Sequence, residues 1–75
     1  MDVEQIGRRI RGFRKLKGYT QVEFAKAIQI SAYILGSIER GKKQPTEAIL
    51  KKICEALHIS QNELMITNET EREDG

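Results

Sequence analysis

The stretch TQVEFAKAIQISAYILGSIERG, Thr20 to Gly41, decides the fold of this 75-residue chain. Thr20-Gln21-Val22-Glu23 is a capping box. In such a box the Thr hydroxyl accepts a backbone N–H while the Glu side chain reaches back to the cap. It predicts a helix over 21–28 that buries Phe24, Ala25 and Ile28. Gln29 and Ile30 leave room only for a tight connection. Ser31 then reads as the N-cap of a helix over 32–40, ended by Gly41. One feature raises a question of its own. Ala32-Tyr33-Ile34-Leu35 is an apolar run beside Gly36 and Ser37, and a basic loop follows it.

Working outward, 3–17 carries Val3, Ile6, Ile10, Phe13 and Leu16 at steps of three or four, a single apolar stripe. Arg8, Arg9, Arg11, Lys15 and Lys17 lie mainly off it, and Gly18 suits a left-handed helix end. Downstream, Lys42-Lys43-Gln44-Pro45 is a basic loop, and Thr46 caps a helix over 47–57. That helix turns Ile49, Leu50, Ile53, Cys54 and Leu57 inward. Ser60-Gln61-Asn62-Glu63 is a second capping box, opening a last short helix with Leu64 and Met65. The pattern predicts an all-α, five-helix domain over 1–66. Residues 67–75, TNETEREDG, hold no apolar side chain and are expected to be a disordered acidic tail.

The net charge of +2 conceals an asymmetry. Residues 1–66 hold 12 Lys/Arg against 7 Asp/Glu, a net +5, and residues 67–75 hold 1 against 4, a net −3. A basic body suggests an anionic partner. The chain is near the size limit for unaided folding, which leaves no bulk for an engulfed substrate cavity. One His and one Cys form no triad and no familiar metal pattern, so no catalysis, cofactor or metal is expected. Charges interrupt every apolar run, and MDVEQIG lacks the basic start and apolar run of a signal peptide. The expected location is the cytoplasm.

Two short helices joined by about three residues cross steeply, leaving the second prominent. That is the plan of a helix-turn-helix, whose second helix enters the DNA major groove. The residues are more specific than the spacing. TQVEFA, IS, LGSIERG, PT and ILKKICEALHIS together resemble the Cro/phage-repressor (Xre-type) helix-turn-helix family, over Ile6 to Met65. The resemblance implies a five-helix, lambda-repressor-like DNA-binding domain, usually of a repressor acting as a dimer.

It also implies roles for individual residues. Gln21 matches a glutamine that reaches a DNA phosphate, and Ser31 a cap that can touch the backbone. Arg14 and Glu39 match an ion pair between the first helix and the end of the third. Leu35 and Ile38 match core positions, whereas Ala32, Tyr33, Gly36 and Ser37 match positions that meet bases. Ile34 lies between core and groove. His58 stands where the family often has glycine, so a capping role is expected of it.

None of the four base-facing residues is Arg, Asn or Gln, the usual bidentate readers. Ala32 and Tyr33 can touch a thymine methyl, and Ser37 can donate or accept with little selectivity. Gly36 costs about 1 kcal/mol of helix stability relative to Ala. Either close approach to DNA or simple tolerance accounts for it. Arg40, Lys42 and Lys43 follow the recognition helix, where phosphates flank the groove, and are expected to supply much of the affinity. A single recognition helix buries little, which favours a homodimer on a two-fold operator. Ile59, Leu64, Met65 and Ile66 are the candidate dimer surface. The alternative is a protein-binding adaptor or antitoxin-like module on the same fold, docking through Ala32, Tyr33 and Ile34.

Overall fold

The computed structural model describes residues 2–65. Ile66, one of the expected dimer residues, and the tail over 67–75 lie outside the described residues. Five helices follow in order: α1 (Val3–Leu16), α2 (Gln21–Ala27), α3 (Ala32–Glu39), α4 (Glu47–Leu57) and α5 (Gln61–Met65). The described residues form no strand. None of these helices is long and apolar enough to cross a membrane.

Each start is fixed by a side chain that satisfies amides the helix leaves unpaired. Thr20 Oγ1 accepts from Glu23 N–H at 3.1 Å, and the Thr20 amide donates to Glu23 Oε1 at 3.0 Å. Ser60 and Glu63 repeat the arrangement at α5. A third box, between Asp2 and Gln5, opens α1 and was not evident in the sequence pattern. Ser31 and Thr46 cap α3 and α4 by accepting from the amides of Ile34 and Ile49.

The ends of α1 to α4 share one device. In each a backbone amide reaches the carbonyl five residues back: Tyr19 to Arg14, Ile30 to Ala25, Lys42 to Ser37 and Ile59 to Cys54. The residue just before each of these amides is left-handed. Gly18 (φ 87°) and Gly41 (φ 76°) do this without a Cβ penalty, whereas Gln29 (φ 62°) and His58 (φ 60°) do not. His58 thus takes the glycine-like cap position that its place in the sequence suggested.

The core joins Ile6 and Ile10 of α1, Phe24 and Ala25 of α2, Leu35 and Ile38 of α3, and Leu50, Ile53 and Leu57 of α4, with Ile28 closing α2. Two expectations need correction. Leu16 is 76% exposed although it continues the α1 stripe, because its side of the last turn borders an open depression with Gly12 and Phe13 while Arg14 takes the side that meets α3. Leu64, expected at a dimer surface, is fully buried in the monomer core. Arg9 secures that corner by donating to the carbonyls of Glu63 and Leu64. Phe13 is only half-buried beneath the same guanidinium, 5.7 Å from its ring centre.

Gly7 sets how closely α1 meets α3. A Cβ there would sit 2.3 Å from the Ile38 carbonyl oxygen and 2.7 Å from that of Glu39. Only glycine permits this approach, which brings Arg14, two turns along α1, alongside Glu39.

Candidate nucleic-acid interface

α2 and α3 are joined by 28–31, and their angle is held from beneath by charge. Arg14 Nε donates to Glu39 Oε2 at 2.7 Å, and Arg14 Nη2 donates to Glu39 Oε1 at 3.1 Å. The two side chains are 7% and 2% exposed. A bidentate, shielded pair of this kind fixes direction as well as distance. Arg14 Nη1 also donates to the Tyr19 carbonyl at 2.9 Å. Gln21 Nε2 donates to Glu39 Oε1 at 3.1 Å. One carboxylate at the end of α3 therefore gathers α1 and the first residue of α2.

Tyr33, Gly36 and Arg40 lie at i, i+3 and i+7 along the outer side of α3. Tyr33 is 79% exposed, and Ser31, Arg40, Lys42 and Lys43 are exposed. Ala32 and Ile34 are partly buried and pack against the core. Ser37 is corrected in one respect: at 9% exposure it is largely buried. The resemblance placed it facing outward, but it falls within the buried run Leu35 to Glu39.

Gly36 is also buried, for a different reason. A Cβ added there would meet Arg40 Nη1 at 3.0 Å and the Gln21 amide atoms at 3.6 Å. Long side chains from the end of α3 and the start of α2 lie over it. The grouping went unnoticed in the sequence reading, although Gly36 and Arg40 stand four apart, the spacing at which helical side chains meet.

No other part of the described residues carries comparable chemistry. The Cys54 thiol is buried, and its pKa is pushed up first by that burial and then by the carboxylates of Glu47 and Glu63. It is a neutral packing group. No set of three His, Cys, Asp or Glu gathers to hold a metal among the described residues. A shallow depression of about 270 Å³ is lined by Arg9, Gly12, Phe13 and Leu16 on α1.

Two short helices joined by a tight turn, the second presenting Tyr33 and followed by cations, define a helix-turn-helix protein. Residues 10–64 match the helix-turn-helix family model, and the chain belongs to that family in its Xre/Cro-like form. It is 58% identical over 64 residues to the HTH-type transcriptional regulator YazB of Bacillus subtilis, covering 85% of this chain and 93% of that one. It is 35% identical over 63 residues to the transcriptional regulator ClgR of Mycobacterium tuberculosis, but spans only 56% of that protein. Among solved structures, the restriction-modification controller protein C.AhdI of Aeromonas hydrophila superposes with a TM-score of 0.81 at 28% identity. That match covers 84% of this chain and 96% of the controller. The biofilm regulator SinR, solved in complex with DNA, gives 0.77 at 35% identity, covering 81% and 98%.

Proposed function

We propose that this chain is a sequence-specific regulator of transcription that binds double-stranded DNA, acting in the cytoplasm as a homodimeric repressor on a two-fold operator. One observation carries the reading: Tyr33 stands exposed on α3, the cations Arg40, Lys42 and Lys43 follow that helix, and the buried Arg14–Glu39 pair ties its end to α1. Tyr33 and Ala32 would meet the groove, while Lys42 and Lys43 would neutralise phosphates beside it. Gln21 and Ser31 stand at helix starts, where backbone amides favour a phosphate. The likeness to SinR, solved in complex with DNA, supports DNA as the partner.

The protein-docking alternative loses its patch. Ala32 and Ile34 turn partly into the core, so Tyr33 alone of the three stands free.

Selection from a pool of random duplexes tests the reading. Enrichment of a two-fold symmetric sequence would establish DNA reading and dimerisation together. Salt-insensitive binding, or none at low ionic strength, would sink it in favour of the protein-docking alternative.

A further inference from the structure

α3 itself carries no bidentate reader, yet a guanidinium lies over Gly36 near its middle. Arg40 is the residue just after α3, its C-cap, with backbone angles (φ −86°, ψ 1°) that leave the helix. Its side chain folds back so that Nη1 comes within 3.0 Å of where a Cβ of Gly36 would be. The charged head therefore lies beside a residue four positions before its own Cα, back along α3. Tyr33 lies three residues before Gly36 on the same side, and the Gln21 amide borders the spot from α2. Lys42 and Lys43, by contrast, sit beyond the helix in the loop. Among the described residues, Arg40 has no ion-pair partner to divert its charge.

We propose that Arg40 reads a guanine in the major groove, with Gly36 as the vacancy that lets its guanidinium lie along the helix. This rests on the DNA-binding reading above and assigns Arg40 a base edge instead of a phosphate. The planar fork of a guanidinium matches the O6 and N7 acceptors of guanine, and no side chain within α3 offers such a pair of donors. Gly36 then has a purpose. A Cβ there would meet the guanidinium at 3.0 Å, so a side chain at this position would push the fork from its place over the helix.

The test is selection from random duplexes with three full-length proteins: unmodified, Arg40→Ala and Arg40→Lys. Arg40 is exposed, so both variants should keep the fold, which thermal melting verifies. The unmodified protein should enrich one fixed guanine in each half-site. Arg40→Ala should lower the preference for that guanine about 10- to 100-fold and leave other positions unchanged. Arg40→Lys should restore affinity for random DNA through its charge, but not the full guanine preference.

The inference is overturned if Arg40→Ala weakens every sequence alike with an unaltered consensus. That result makes Arg40 a phosphate contact and leaves the DNA-binding reading standing. Failure of that parent reading looks different, because the unmodified protein would then enrich no sequence.

Discussion

Glu39 shows how much one side chain can hold. Its two oxygens accept from Arg14 twice and from Gln21 once, in a site almost closed to water. Glu39→Ala would leave the Arg14 guanidinium buried without its counter-charge, a loss of about 3–5 kcal/mol. Small domains have about 5–15 kcal/mol in total, so urea denaturation should show a much lower midpoint or a partly unfolded protein. Leu64→Ala should also act on folding, at about 2–5 kcal/mol, because the side chain is core and not a dimer contact. Tyr33→Ala should leave the melting temperature almost unchanged, yet weaken operator binding far more than binding to random DNA. Unaltered discrimination in competition assays would remove α3 from the role of reader. Cys54 should resist alkylation in the folded protein near neutral pH. Burial and the nearby carboxylates raise its pKa, so the folded state favours the neutral thiol. That contribution is intact below the ordinary thiol range and is lost only as pH rises past it.

At the scale of the element, the helix ends carry the clearest stability prediction. Four helices close with the same left-handed residue, but only two use glycine for it. A left-handed non-glycine residue is strained by about 1–2 kcal/mol, against which the greater unfolded-state freedom of glycine must be set. His58→Gly should therefore stabilise the domain by about 0.5–1 kcal/mol, raising its melting temperature by a few degrees. An unchanged or lower melting temperature would show that the His58 side chain compensates. These local devices were the most legible part of the sequence: the Thr20–Glu23 and Ser60–Glu63 boxes depend on residues three apart and need no tertiary context. What failed depended on distant partners. Periodicity placed Leu16 on the apolar stripe, but could not show that its side of the last turn stays open while Arg14 meets α3. The resemblance placed Ser37 outside and could not show that it falls within the buried run of α3. Helix propensity marked Gly36 as costly, yet Arg40 and Gln21, which lie over it, are side chains whose courses the sequence does not fix.

At the scale of the whole molecule, the number of protomers on DNA should be readable from salt. α3 has eight residues, and one such module buries only about 600–1,000 Å² against DNA. Two copies on a two-fold site would double the contacts without enlarging the domain. Of the proposed dimer residues, Leu64 is committed to the core, while Ile59 and Met65 are partly buried against it. Sedimentation at micromolar concentration tests association directly, but the DNA complex gives an independent count. Each neutralised phosphate contributes about 0.9 to the slope of log K against log salt on duplex DNA. If Lys42 holds one phosphate per protomer, Lys42→Ala should reduce that slope by about 1 for a bound monomer and about 2 for a bound dimer. Lys43→Ala should do the same, with random and operator DNA weakened alike. A decrement near 2 on operator DNA, with a dimer in the ultracentrifuge, fits the proposed assembly. A decrement near 1 together with a sedimenting monomer would mean that a single helix-turn-helix binds alone, and the two-fold operator would have to be abandoned.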